Sequence, residues 1–148
     1  MALQGLRRRV VHALSFEAIA IALLTVGMSL FGLADAQQGF ALSLALSVTA
    51  MPWNMVFNAL FERWEARQVS RARTLTRRVA HALGFEGGLM VLTVPIIAHM
   101  LGIGWWEALL ADLAMMAFFL VYTFAFNWVF DHLFGLPDLG PAPPSASP

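Results

Sequence analysis

Two glutamates interrupt long apolar stretches of this sequence. Glu17 lies within an apolar run over residues 10–33, and Glu86 lies within another over residues 79–101. A carboxylate inside a membrane-spanning helix costs from about 2.5 kcal/mol upward, so such a residue is a functional hypothesis by default. Because a low-dielectric environment disfavours a bare charge, a carboxyl group there can hold either a proton or a cationic ligand.

Both glutamates belong to a motif that occurs twice. Residues 8–17 read RRVVHALSFE and residues 77–86 read RRVAHALGFE, with eight of ten positions identical. The same offset, 69 residues, aligns Asn58 with Asn127 and Phe57 with Phe126 without a gap. The chain is therefore one unit of about 70 residues written twice. We assign the first repeat to residues 1–68 and the second to residues 69–136.

The composition indicates a membrane protein. Of the 148 residues, 59% are hydrophobic and only 12% are charged, against roughly a quarter charged in soluble domains. There is no cysteine, which excludes disulfides and thiolate metal sites. All nine basic residues are arginines, and they lie only within residues 7–9 and 63–78. No phosphate-binding loop, serine nucleophile motif or nucleic-acid signature occurs, so nucleic acid is not an expected partner.

Four apolar segments are long enough to span a bilayer, for which roughly 20 residues are needed. They cover about residues 10–33, 40–61, 79–101 and 108–130, and Pro52 is expected to distort the second. We predict an all-α membrane protein of two tandem helical hairpins, followed by a disordered Pro- and Ser-containing tail over residues 137–148. Gly84 and Gly88 have the small-xxx-small spacing that lets helices approach closely.

The arginines predict the orientation. By the positive-inside rule, the N-terminus and the connector over residues 62–78 are cytoplasmic, and the two short turns face the other side. The C-terminus then returns to the cytoplasm. The two hairpins share one orientation, so they form a parallel repeat related by an axis along the membrane normal.

Helical geometry places further polar residues near the depth of Glu17, which lies about 12 Å along the helix from Arg9. Asn54 and Asn58 on the second span, and Asn127 on the fourth, lie at a comparable depth. We therefore expect one polar layer in the cytoplasmic half of the bundle. Two interpretations stay open for it: the asparagines and glutamates bind ligand, or they only hold helices together by about 0.5–2 kcal/mol each.

Several other residues have alternative interpretations. Arg8 and His12, four residues apart, share a helix face that is separate from Glu17. Asp112 lies near the far end of the fourth span, where the first repeat has Ser43. His12 and His81 lie at equal depth and could bracket a haem. No Glu-x-x-His or His-x-x-x-His pair occurs, which argues against a dinuclear carboxylate or zinc site.

These motifs resemble the proteobacterial antimicrobial compound efflux family, whose members contain two bacterial transmembrane pair domains. The matching residues of the first and third spans are Arg9, His12, Phe16, Glu17 and Arg78, His81, Phe85, Glu86. Those of the second span are Trp53, Asn54, Phe57, Asn58, Phe61 and Glu62, and those of the fourth are Tyr122, Phe126, Asn127, Trp128 and Asp131. Two positions depart conservatively from the pattern: Glu62, where aspartate is common, and Phe130, where tyrosine is common.

The resemblance implies proton-coupled export of cationic amphiphiles such as chlorhexidine, acriflavine or benzalkonium, and of short diamines, across the bacterial inner membrane, with Glu17 as the coupling residue. It implies no cofactor and no enzymatic activity. Because four helices are few to enclose a large drug, we expect a homodimer. The competing class is a non-transporting membrane protein, either a scaffold or a haem electron carrier.

The resulting candidate site has two groups of residues. The predicted proton- and substrate-binding residues are Glu17, Asn54, Asn58, Phe16, Phe57, Asn127, Glu86 and Asp112. The predicted motif and structural residues are Arg9, His12, Trp53, Arg78, His81, Phe126 and Asp131.

Overall fold

Four long helices make up the fold. A computed structural model describes residues 5–68 and 74–135, and the predicted disordered tail lies outside them. The helices are α1 (Gly5–Leu30), α2 (Ala36–Ala66), α3 (Leu75–Leu101) and α4 (Trp105–Phe134). All four are long and apolar enough to cross a membrane, and no strand occurs in the described part of the chain. The predicted all-α, four-span fold is confirmed.

The two ends of the bundle have different chemistry. We call the end that carries Arg7–Arg9 and the connector between α2 and α3 the arginine end. The opposite end, which carries the α1–α2 and α3–α4 turns, is the turn end. At the turn end, Gly32 adopts a left-handed φ of +67°, and Asp35 accepts a hydrogen bond from the backbone N–H of Gln38 at 2.8 Å. α1 therefore stops at Leu30, slightly before the apolar run ends.

The helices pack in chain order, α1 against α2, α2 against α3 and α3 against α4, and α4 returns to α1 over a shorter stretch. All four contribute to a buried core in the half of the bundle near the turn end. Its members are Leu24, Met28, Leu42, Leu46, Val94, Ile97 and Ala108. Gln38 joins α2 to α3 there by donating a hydrogen bond to the Met100 carbonyl at 2.7 Å. This half of the bundle is closed by packing.

The half near the arginine end divides into two helix pairs. A second buried cluster, formed by Ala20, Tyr122, Phe126 and Phe130, joins α1 to α4. The rings of Trp53, Phe57 and Phe85 join α2 to α3. Because the two repeats are equivalent, the α1/α4 pair corresponds to the α3/α2 pair. Each of these two pairs therefore combines one helix from the first repeat with one helix from the second.

The two pairs differ in how closely their helices approach. A Cβ on Gly84 would lie 3.1 Å from the Phe57 ring, and one on Gly88 would overlap the Trp53 indole. The glycines thus admit these rings against the backbone of α3. The equivalent residues of α1 are Ser15 and Ile19, which carry side chains. α2 is continuous through Pro52.

Candidate functional site

Glu17 has a neutral partner within the bundle. Its half-buried side chain on α1 accepts a hydrogen bond at Oε2 from the Ser47 hydroxyl of α2, at 2.6 Å. Tyr122 of α4 lies close enough to interact electrostatically with Glu17, and its hydroxyl donates to the Phe16 carbonyl at 2.7 Å. Groups from α2 and α4 therefore lie near this carboxyl group of α1, and neither Ser47 nor Tyr122 brings a positive charge.

Two of the asparagines predicted to share a polar layer with Glu17 contact histidines in the structure. His12 Nε2 lies 2.7 Å from Asn127 Oδ1 across α1 and α4. His81 Nε2 lies 2.9 Å from Asn58 Oδ1 across α3 and α2. Because the asparagine oxygen can only accept, each imidazole donates from Nε2. Both asparagines link helices through histidine.

The ring contacts around the two histidines are equivalent as well. The His12 ring meets Phe126 and Phe130 edge-on, at centroid distances of 5.1 and 4.8 Å. The His81 ring meets Phe57 and Phe61 in the same way, at 5.1 and 4.7 Å. Phe126 and Phe57 are therefore packing residues in this arrangement. The two histidines lie in separate helix pairs, each with Nε2 engaged, which does not match two axial ligands of one haem.

Tyr122 and Trp53 are also equivalent by the 69-residue offset. Tyr122 donates to the carbonyl of Phe16, and Trp53 Nε1 donates to the carbonyl of Phe85 at 3.0 Å. Phe16 and Phe85 are themselves equivalent residues. A different donor in each repeat thus makes the same interhelical hydrogen bond, immediately before the glutamate of each motif.

At the arginine end, the α1/α4 pair is closed by an ion pair. Arg8, only 7% exposed, forms a salt bridge with Asp131 and donates to the Gly135 carbonyl at 2.6 Å. Its guanidinium lies over the Phe130 ring, 5.1 Å from the centroid. The predicted motif residue Arg9 is exposed instead. In this interface, then, the arginine that contacts the bundle is Arg8, which shares the helix face of His12.

Among the described residues, the corresponding end of the α2/α3 pair contains a cleft of about 500 Å³. The cleft is lined by Asn58, Phe61, Glu62, Glu65, Arg77, Arg78 and His81. Arg77, the equivalent of Arg8, lies over the Trp64 ring at 5.8 Å. Asn54 is exposed and accepts a hydrogen bond from Asn58 Nδ2 at 3.0 Å.

The second repeat holds two further acidic residues. Glu86 on α3 and Asp112 on α4 lie within electrostatic range of each other, and the Thr93 hydroxyl, which donates to the Leu89 carbonyl at 3.0 Å, lies near Asp112. The first repeat has Ser43 at the place of Asp112, and Ser43 donates to the Gly39 carbonyl at 2.8 Å. Within residues 5–68 and 74–135, no three His, Asp or Glu side chains are placed to share a metal ion.

The sequence patterns did not predict two contacts in this region, those of Ser47 with Glu17 and of Arg8 with Asp131. Ser47 lies one turn after Ser43 on the same face of the second span. The burial of Arg8 rather than Arg9 could have been inferred, because Arg8 is four residues before His12.

Comparison with known proteins identifies the family. The pattern of the family described as "Chlorhexidine efflux transporter" matches this chain twice, over residues 4–67 and 73–136. The chain belongs to this family. The two matches confirm the tandem repeat, and membership makes the chain a multi-pass membrane transporter, not an enzyme.

Curated relatives agree with this assignment. A short-chain diamines transporter of Acinetobacter baylyi is 38% identical over 125 residues, which cover 84% of this chain and 88% of the relative. Proteins of the same name from Acinetobacter baumannii and Vibrio parahaemolyticus are 36% and 34% identical, over 86% and 83% of this chain and 88% and 87% of theirs. No solved structure matches the chain.

Proposed function

We propose that this transporter exports organic cations in exchange for protons, with Glu17 binding the proton and the substrate in alternation. The observation that carries the proposal is the environment of Glu17, a half-buried carboxyl group in a membrane span whose hydrogen-bond partner is the neutral hydroxyl of Ser47. An arginine partner would neutralise the carboxylate permanently. A serine leaves the negative charge to be neutralised by a proton or by a cationic substrate, one at a time.

The substrate class follows from the relatives. Chlorhexidine, named in the family description, carries protonated biguanides, and short-chain diamines, named for the curated relatives, carry protonated amines. Both kinds of molecule present N–H donors and positive charge to a carboxylate. We extend the proposed range to acriflavine and benzalkonium, whose charged nitrogens could stack on a ring such as Phe16 beside Glu17.

Glu86 and Asp112 are proposed as a second acidic position of the same transporter. Their placement within electrostatic range of each other across α3 and α4 supports a role in moving protons. Asn54 is proposed to contact substrate, while Asn58 and Asn127 act on transport by holding the helix pairs together. Trp53, His12 and His81 belong to the same supporting framework, and Arg9 and Arg78 are topology anchors.

Alternating access requires Glu17 to face each side of the membrane in turn. We place both termini and the arginine end in the cytoplasm of a bacterium, because the arginines of the described residues all lie at that end, and the protein in the inner membrane. The buried core near the turn end and the cleft among the described residues at the arginine end support an inward-facing state. We further propose a homodimer, because four helices enclose little volume and Asn54 is exposed at membrane depth.

The experiment that tests the proposal measures proton release from purified protein in weakly buffered detergent when chlorhexidine is added. We expect wild-type protein to release protons on binding and Glu17→Gln to release none. The matched control is Glu107→Gln, an exposed carboxylate at the turn end, which should behave as wild type. A folded wild type that binds chlorhexidine without releasing protons would refute exchange at Glu17. Light scattering with correction for bound detergent tests the dimer, and a fully active monomer would refute it.

A further inference from the structure

The α1/α4 pair shows how this fold binds a guanidinium. The Arg8 head group pairs with the Asp131 carboxylate, donates to a carbonyl at the end of α4, and lies over the Phe130 ring at 5.1 Å. A carboxylate, an aromatic face and a helix C-terminal carbonyl all favour a cation. The site is therefore a complete cation site whose occupant belongs to the chain itself.

The α2/α3 pair repeats two components of that site, the carboxylate and the aromatic ring. Glu62 is the equivalent of Asp131 and Phe61 is the equivalent of Phe130, and both line the cleft among the described residues. Glu65 adds a second carboxylate to the lining. The guanidinium of Arg77 lies over Trp64, one turn away from the position that Arg8 takes over Phe130 in the other pair. His81 and Asn58, bonded to each other at 2.9 Å, also line the cleft.

We infer that this cleft is a capture site for the organic cation at the arginine end, in which the Glu62 carboxylate and the face of Phe61 hold a biguanide or ammonium group, and that Arg77 competes for the same position. The inference rests on the proposed function, since it supplies a substrate to the site at Glu17. It adds a second binding site, distant in sequence from Glu17. The competition has a direct consequence: when Arg77 occupies the position, the α2/α3 pair would resemble the closed α1/α4 pair.

The charges in the cleft set the expected affinity. Glu62 and Glu65 attract a cation, while Arg77 and Arg78 oppose it, so binding is weak and sensitive to salt. The site therefore binds a cation reversibly. A chlorhexidine molecule, with two biguanides, can engage the carboxylate through one of them while the other remains in the cleft opening.

The test measures chlorhexidine binding by calorimetry to protein in phosphatidylcholine nanodiscs, with empty nanodiscs as the reference. All variants carry Glu17→Gln, so that binding at Glu17 does not contribute. We expect residual binding in this background, lowered on the order of tenfold by Glu62→Gln and raised severalfold by Arg77→Gln, because these changes remove the attracting charge and the competitor. Glu107→Gln, which removes a carboxylate at the other end, should leave the affinity unchanged.

Three outcomes would overturn the inference: no binding in the Glu17→Gln background, unchanged affinity in folded Glu62→Gln protein, or weaker binding in Arg77→Gln protein. The last would indicate that Arg77 supports binding in the cleft and does not compete with the cation. Circular dichroism and thermal unfolding establish that each variant is folded. Failure here is distinct from failure of the exchange mechanism, because proton release from wild type depends on Glu17 and not on Glu62.

Discussion

The indole of Trp53 lies against the backbone of α3 at Gly88, in space that any Cβ on that residue would occupy. The indole also donates a hydrogen bond to the Phe85 carbonyl, so ring and backbone are held together at two points. This contact makes α2 and α3 the more closely packed of the two equivalent helix pairs. The α1/α4 pair uses Tyr122 for the same hydrogen bond and has no glycine beneath it.

Replacing Gly88 by alanine should therefore destabilise the bundle. The new methyl group would overlap the indole, and overpacking of this kind costs about 1–3 kcal/mol. Gly84→Ala should cost less, because its Cβ would lie 3.1 Å from a Phe57 ring that can shift. Gly87→Ala is the matched control, since nothing lies within 4 Å of its Cβ. Thermal unfolding in detergent should rank Gly87→Ala as most stable and Gly88→Ala as least stable. A Gly88→Ala protein as stable as Gly87→Ala would contradict this packing.

Arg8 and Arg9 should differ in their importance for stability, although they are neighbours of the same type. Arg8→Gln leaves Asp131 and the Gly135 carbonyl without their donor, and losing hydrogen bonds to a charged group costs about 1.5–3 kcal/mol. Arg9 is exposed, so we expect Arg9→Gln to change the free energy of unfolding by less than about 0.5 kcal/mol. The comparison needs only the unfolding midpoints of both variants and wild type. Equal losses of stability in Arg8→Gln and Arg9→Gln would mean that the Arg8 ion pair adds nothing to the free energy of unfolding.

The two histidine–asparagine pairs should couple within each helix pair and not between them. We expect double-mutant cycles of His12→Ala with Asn127→Ala, and of His81→Ala with Asn58→Ala, to give coupling energies of about 0.5–2 kcal/mol. The crossed cycle of His12→Ala with Asn58→Ala should be additive, because those residues lie in different pairs. A coupling energy in the crossed cycle as large as those of the two direct cycles would refute the division of the bundle into two helix pairs.

Ser47 should modulate transport without being essential for it. Its hydroxyl fixes one orientation of the Glu17 carboxyl group, so we expect Ser47→Ala to reduce chlorhexidine export severalfold, in keeping with the loss of about 1 kcal/mol for one hydrogen bond. Ser43→Ala is the control, because Ser43 donates to the Gly39 carbonyl of its own helix. Export is measured in inverted vesicles with an imposed proton gradient. Wild-type export by Ser47→Ala protein would show that this hydrogen bond is not needed.

The sequence was sufficient to predict the number of helices and their tandem arrangement, because apolar length and the 69-residue offset are both local signals. It was not sufficient to predict the partners of the polar side chains. Comparable depth predicts one polar layer that contains Asn58, Asn127 and Glu17, but depth does not specify which helices touch. The structure pairs α1 with α4 and α2 with α3 at the arginine end, and these pairings direct both asparagines to histidines.

Helical register could have identified Arg8 as the arginine that contacts α4. Arg8 and His12 are separated by one turn and contact α4 through neighbouring residues, whereas Arg9 points elsewhere. The difference between the two helix pairs also has a sequence signal, the replacement of Ser15 and Ile19 by Gly84 and Gly88. Gly84 and Gly88 admit the rings of Phe57 and Trp53, which come from another helix, and no sequence pattern within one segment shows such a contact.

The Arg8–Asp131 contact joins residues 123 positions apart, so it connects α1 with α4, the helix that is synthesised last of the four. Until α4 has been synthesised, Arg8 lacks the carboxylate that it pairs with in the folded bundle. Assembly of the four-helix bundle is therefore completed only after α4 has been made. A chain truncated before residue 105 would retain three of the four apolar helices but leave α1 without its partner helix.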